Sequence, residues 1–391
     1  MILTEVCGII AEFDPFHLGH AHLIREARRL TGCDYVVVAL STAFVQRGTP
    51  GMFSTRDRTL MALRGGADAV FALPAAFSCA PADRFALGGV AVLDGLGAVT
   101  SLAFGCEDAG AADRLSAAAG CIEENGEAFR DALRGALERG LPYPAAQAAA
   151  VAAVTGLPAG MLSAPNNILA IAYLRQLRAL GSPIRPCPVQ RIGRRDGTSE
   201  GFQPSSALRT LALDRSAEAW APHVPESSAA VMRDALGEGR FCPPEALTQA
   251  LLYRLYSTSS DCWRRCAWSD EGIEGRLEKA LRRHPASMEE LLALLKTRRY
   301  THAALRRWLS RILLDMPPAD DPPAPACLRL LGFRTAARPL LRMIRRQAAL
   351  PVIIRPAEEK ALLASDARAE LLWSLGVGRP ASLYTQSPVV L

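Results

Sequence analysis

No apolar run in the chain reaches the ~18 residues that a membrane-spanning helix needs, and the first residues lack the basic-then-apolar order of a secretory signal. Both absences point to a cytoplasmic protein. Cysteine is present ten times, but scattered through apolar segments, where a reduced thiol behaves as a small hydrophobe. Only Cys262 and Cys266 are close in sequence, with no second pair or nearby histidines, so no protein-held metal is expected. Repeats and low-complexity tracts are also absent. What remains is a chain of 391 residues, half of them hydrophobic, enough for two or three domains with a sizeable core.

Against that background the stretch from Gly8 to His20 stands out. Val6 to Ala11 is short, apolar and rich in Val and Ile, which suits a strand buried on both faces of a parallel sheet, and Asp14-Pro15 is a turn signal. From Gly19 the pattern is helical, with Leu23, Ile24, Ala27 and Leu30 on one stripe and Arg25, Glu26, Arg28 and Arg29 on the other. The join carries His17-Leu18-Gly19-His20. Unpaired N–H groups and the positive end of the helix dipole face outward at a helix start, so two histidines one turn apart can address a single anion. Gly19 between them lets a nucleotide approach the backbone closely. The pattern is that of a phosphate site.

Further strands are expected at Asp34 to Leu40, Asp68 to Leu73 and Val99 to Phe104, with helices between them, which is an α/β chain with a doubly wound parallel sheet. In such sheets ligands sit beyond the carboxyl ends of the strands, where the His turn, the loop Phe44 to Gly48 and Gly105 all fall. Pro165-Asn166-Asn167 opens another helix, and Ile184 to Ile192 reads as an edge strand because of its prolines. Pro204-Ser205-Ser206, with Arg209 one turn on, makes a second anion cradle at a helix start. The expected organisation is a nucleotide-binding domain over 1–235 and a mainly α-helical domain over 236–391. Between Arg276 and Arg346 sixteen Lys/Arg face six Asp/Glu, against a net +6 for the whole chain. Clusters at Lys296-Thr-Arg298-Arg299-Tyr300, Arg306-Arg307 and Arg342 to Arg346 suit a surface that tracks nucleic-acid phosphates.

These residues resemble the HxGH nucleotidyltransferase superfamily and, more closely, the bacterial tRNA(Met) cytidine acetate ligase family. The His turn carries the first likeness. The second rests on later pieces in order: Phe44-Val-Gln-Arg-Gly48, Gly66-Ala-Asp68, Leu73-Pro74, Phe104-Gly-Cys-Glu107, Pro165-Asn-Asn-Ile-Leu169, Arg191-Ile192, Lys296 to Thr301 and Leu331-Gly-Phe333. The resemblance implies a Rossmann-like fold and an enzyme that adenylates acetate with ATP. The acetyl group would then pass to the exocyclic amine of the wobble cytidine in elongator tRNA(Met). It also implies ATP contacts from the turn Ile10, Ala11, Glu12, Phe13, Asp14, Pro15, Phe16, His17, Gly19 and His20, and from Gly105, Asn166, Asn167, Arg191 and Ile192.

In that scheme His17 and His20 would donate to the phosphate oxygens, and Ser205, Ser206 and Arg209 would hold the departing β- and γ-phosphates. Arg47 would serve acetate or the triphosphate, and Glu12 or Asp14 would take the proton of the attacking amine. Mg²⁺ would ride mainly on phosphates and water. Lys296, Arg298, Arg299, Arg306 and Arg307 would grip the tRNA, and no protein partner is implied. Three positions depart from the family pattern: Ser41-Thr42 in place of Ser-Gly, Thr55 in place of a lysine, with Arg56 as the compensating charge, and Pro204-Ser205-Ser206 in place of Ser-Ala-Thr. Two rival readings remain at this point. One is adenylation of a small phosphorylated metabolite, and the other is a non-catalytic tRNA-binding protein with a decayed nucleotide site.

Overall fold

The computed structural model describes residues 4–191, 203–214, 217–267 and 272–391. Among them ten strands occur in chain order: β1 (Val6–Ala11), β2 (Tyr35–Ser41), β3 (Phe44–Val45), β4 (Thr49–Pro50), β5 (Ala69–Leu73), β6 (Ser101–Cys106), β7 (Arg185–Gln190), β8 (Leu328–Phe333), β9 (Val352–Ile353) and β10 (Val389–Val390). Eight form one sheet in the order β10-β8-β5-β2-β1-β6-β7, with β9 paired to β8. The five from β5 to β7 are parallel, as the apolar, Val- and Ile-rich runs predict. β7, with its two prolines, lies at the edge as expected. From β1 the chain builds outward to β2 and β5, then returns to lay β6 on the other flank of β1. The strand order therefore reverses between β1 and β6, the switch point beyond whose carboxyl ends such sheets hold their ligands.

Five helices flank the site: α1 (Leu18–Thr31), α2 (Thr55–Arg64), α3 (Ala82–Gly95), α4 (Pro165–Ala179) and α5 (Ser205–Leu213). Two more, α6 (His302–Leu314) and α7 (Ala364–Gly376), come from the second half of the chain. α1, α2 and α5 pack Ile24, Met61 and Leu208 on one face of the sheet, and α3 and α4 pack Val90 and Ile171 on the other. In α1 the expected stripe buries Ile24 and Ala27, but Leu30, in the last turn before the left-handed Gly32, is 48% exposed.

The expected boundary at residue 235 does not separate two bodies. Residues 251–312 do have a core of their own, built on Leu277, Leu291, Leu305 and Trp308. Beyond them, however, the chain comes back: β8 pairs antiparallel with β5, β9 and β10 pair with β8, and Trp373 on α7 donates its indole N–H to the Gly51 carbonyl at 2.6 Å. The physical reason is the open edge of β5. Its unpaired N–H and C=O groups need a partner, and Leu-Arg-Leu-Leu-Gly-Phe supplies one.

Candidate active site

His17 is the N-cap of α1. Its Nδ1 accepts the N–H of Gly19 at 3.0 Å, and in return the N–H of His17 donates to Nδ1 of His20 at 3.3 Å. This is a capping box made from two imidazoles, which stack with centroids 3.7 Å apart. Because both Nδ1 atoms accept, each neutral ring carries its proton on Nε2. Burial, then the nearby Arg191, pushes the His17 pKa down to about 3; burial, then His17, holds His20 well below its ordinary value. Both rings are therefore neutral donors at physiological pH. Phe13 and Phe16 are fully buried and pack against His20 at 4.7 and 5.7 Å, so their side chains brace the imidazole from behind.

A second group of side chains is built on Glu107, just past β6, and includes Arg191, whose charge is felt at both His17 and His20. Asn167 Oδ1 accepts the Glu107 N–H at 3.1 Å, while Asn166 Nδ2 donates to Glu107 Oε1 at 3.0 Å, and Arg191 approaches the same oxygen at 3.4 Å. Gly105 has only open space where a Cβ would project. Asn166, Asn167 and Arg191, expected at the site, are gathered by Glu107, which the sequence marks only as the end of the Phe104-Gly-Cys-Glu107 piece. His22, which nothing in the sequence singles out, is buried on α1 with its ring nitrogen Nε2 3.2 Å from the Gln190 carbonyl beside Arg191. Ile192 lies outside the described residues.

The two acids of the turn separate in role. Asp14 is 2% exposed, and its oxygens accept the N–H groups of Met52 and Phe53 at 3.0 and 3.2 Å, which makes it a loop organiser. Glu12 Oε1 accepts the Gln46 N–H at 2.8 Å. Burial pushes its carboxyl above the usual range, against the pull of Gln46, Arg209 and Arg47. Arg209 reaches the turn too, donating to the Asp14 carbonyl at 2.8 Å, so α5 starts beside the crevice. Its N-cap is Pro204, which supplies no side-chain cap, leaving Ser205 and Ser206 at an uncapped first turn. Arg47 is exposed on the loop after β3.

Arg58, likewise not singled out by the sequence, holds these loops together. It is fully buried, and it donates to the carbonyls of Glu12 and Ser41 at 2.8 and 2.9 Å, to Phe53 at 3.0 Å, and to Thr42. The hydroxyls of Ser41 and Thr42 are themselves buried, with no hydrogen-bond partner among the described residues.

Thr55 and Arg56 do not reach the histidine crevice. Thr55 is 3% exposed and donates to Glu370 at 2.7 Å, and Arg56 approaches the Ser387 carbonyl at 3.4 Å, so both serve the contact with the C-terminal segment. Arg56 is therefore no substitute for a lysine in the crevice. Of the five expected tRNA contacts, Arg298 and Arg299 are exposed and Arg306 is half-buried. Lys296 is turned onto the carbonyls of Thr297 and Tyr300, closing its own turn, and Arg307 donates to the Gln46 carbonyl at 3.1 Å.

The chain matches the HIGH Nucleotidyl Transferase family over residues 4–385. A tRNA(Met) cytidine acetate ligase of Thermoanaerobacter sp. is 31% identical over 369 residues, spanning 92% of this chain and 91% of the relative. The same-named protein of Syntrophotalea carbinolica is 35% identical over 361 residues, 88% and 84% of the two chains. Among solved structures, Thermotoga maritima TmcAL bound with alpha-thio ATP superposes with a TM-score of 0.91 at 26% identity, over 99% of this chain and all of the other.

Proposed function

The chain belongs to the tRNA(Met) cytidine acetate ligases within the HIGH nucleotidyl transferase family, and from that premise we propose how its crevice activates acetate with ATP and hands the acetyl group to RNA. It is an enzyme, an ATP-dependent ligase that acetylates the exocyclic amine of the wobble cytidine of elongator tRNA(Met). In the first step an acetate oxygen attacks the α-phosphorus of ATP and pyrophosphate leaves. Negative charge spreads over the phosphate oxygens, and the site answers with the Nε2–H groups of His17 and His20 and the start of α1. Arg209, with Ser205 and Ser206 at the uncapped start of α5, takes the β- and γ-phosphates. Glu107, Asn166, Asn167 and Arg191 face the nucleoside, and the exposed Arg47 meets the acetate or the triphosphate.

Among the described residues no cluster of three His, Cys, Asp or Glu side chains is placed to hold a metal, and Asp14 is engaged by Met52 and Phe53. A Mg²⁺ arriving with ATP would be held by phosphate oxygens and water. No step here depends on it.

In the second step the cytidine amine attacks the acetyl carbonyl of the mixed anhydride. The new C–N bond forms, the bond to the AMP oxygen breaks, and the amine proton passes to Glu12. Burial raises the Glu12 pKa, and one of its oxygens accepts the Gln46 amide, whereas the two oxygens of Asp14 are taken by the amides of Met52 and Phe53. This reading puts the enzyme in the cytoplasm, together with its tRNA substrate.

The observation that carries this reading is the pair of neutral imidazoles capped at Nδ1 on the helix that follows the central strand. ATP–pyrophosphate exchange tests it. Exchange that requires acetate is the expected result, whereas exchange that requires a phosphorylated metabolite, or no exchange at all, would sink it. For the RNA half, replacing Arg298 and Arg299 together by Ala should weaken tRNA binding and reduce the slope of log affinity against log salt by roughly one unit for each arginine–phosphate ion pair removed. Acetate-dependent exchange without tRNA should persist. Loss of both activities together would mean that these arginines support the fold.

A further inference from the structure

Both backbone groups of Gln46 are in use. Its N–H donates to Glu12 at 2.8 Å, and its carbonyl accepts from Arg307 at 3.1 Å. One turn further along α6, Ser310 donates to the Gly48 carbonyl at 2.9 Å. Gly48 has φ +76°, and a Cβ there would lie 2.2 Å from the Arg307 nitrogen, so helix and loop meet backbone to backbone. α6 thus begins immediately after the exposed Arg298-Arg299 turn and runs in under the substrate loop.

We propose that Arg307 is a positioning residue for acetyl transfer and not an RNA contact: it fixes the backbone of Gln46 and, through the Gln46 N–H, the carboxylate of Glu12. This rests on Glu12 being the proton acceptor. A guanidinium already committed to a carbonyl inside the loop is a poor phosphate ligand. A loop tethered on only one side would let the Gln46 N–H swing off the carboxylate. A carboxylate that loses such a donor holds its proton more tightly, so the acid limb of the transfer rate moves to higher pH.

The experiment uses the full chain, loaded with acetyl-adenylate from ATP and acetate, and follows single-turnover transfer to tRNA(Met) across pH for Arg307→Met, Arg307→Lys and Glu12→Gln. Arg307→Met should slow transfer by about tenfold or more, a share of the 10²–10⁴ that general-base catalysis supplies, and shift the acid limb upward. Arg307→Lys should recover most of the rate. Acetate-dependent exchange, which draws on Arg47 of the same loop, should fall less than transfer does, and the salt slope of tRNA binding should stay put; an equal fall in exchange and transfer would overturn a role specific to transfer. A salt slope reduced by about one unit with an unmoved pH limb would overturn the proposal in favour of a phosphate contact. If Arg307→Met fails to fold, Arg307→Gln, a shorter neutral amide that withdraws the guanidinium from the Gln46 carbonyl, takes its place, and an unmoved limb in that variant overturns the proposal equally. Parent-rate transfer by Glu12→Gln would instead remove the base assignment itself; a slow Glu12→Gln beside an unaffected Arg307→Met removes only the relay.

Discussion

His20→Ala or His17→Ala should lower acetate-dependent ATP–pyrophosphate exchange by about 10²–10³-fold, the loss usual for one preorganised donor to a developing oxyanion. ATP affinity should fall far less, because a neutral donor aimed at the charge that develops in the transition state adds little to ground-state binding. The capping geometry permits a sharper version. Each imidazole has two jobs: Nδ1 accepts a backbone N–H, and Nε2 donates outward. His17→Asn keeps an acceptor at the N-cap and His20→Gln keeps one at the third helical position, while both lose the donating ring edge. These two variants should keep the stability of α1 that the Ala variants lose, about 0.5–2 kcal/mol per cap, yet be as slow in exchange. Near-parent exchange in His17→Asn would show that the histidine is a cap and nothing more.

A pH dependence follows from the same burial. His17 has a folded pKa of about 3, below the ordinary value of 6.5, so between those limits the unfolded chain binds more protons than the folded one. Stability must then fall as pH drops from about 6.5 toward 3, and His17→Asn should flatten that decline in urea unfolding followed across pH. An equally steep decline in the variant would assign it to other groups.

Legibility in the sequence followed the distance over which each feature is assembled. The His turn could be read because the strand, the turn and the first helical turn lie within fifteen residues and the chemistry needs only their spacing. The parallel order could be read from buried apolar runs. Arg58 could not, since its role exists only where carbonyls from three separated loops meet. Thr55 and Arg56 were misplaced because neighbours on a helix point about 100° apart, and what Thr55 faces is Glu370, from the far end of the chain. β8 was hidden in a basic, otherwise helical region, and nothing local says that six residues will close the edge of β5. Charge is the signal a count reads least completely. Lys296 and Arg307 belong to the basic excess by count, but their heads are spent on backbone carbonyls, and a count does not say where a long side chain ends.

Arg58→Met should be the most destabilising single change at the site. The guanidinium is fully buried, and burial pulls its pKa down, yet it remains charged among Asp14, Glu370, Glu12 and Asp57. Methionine fills much of the stem's space and leaves the carbonyls of Glu12, Ser41, Thr42 and Phe53 without this donor. An unmet buried polar group costs ~1–3 kcal/mol, and breaking a buried charged contact costs ~3–5 kcal/mol, so a loss of about 3–5 kcal/mol is expected in urea unfolding. That is a large part of the ~5–15 kcal/mol by which a folded domain is stable. Arg58→Lys should recover only part of it, because one ammonium cannot span the fork that reaches four carbonyls on three loops. Activity should follow the loops and not merely the folded fraction. At a temperature where Arg58→Lys is fully folded, exchange should still be reduced, since the Glu12 carbonyl and the Ser41-Thr42 turn then lack a common anchor. A Met variant within about 1 kcal/mol of the parent would mean that water or loop rearrangement satisfies those carbonyls, and that Asp14 with its two amides is sufficient to hold the crevice open.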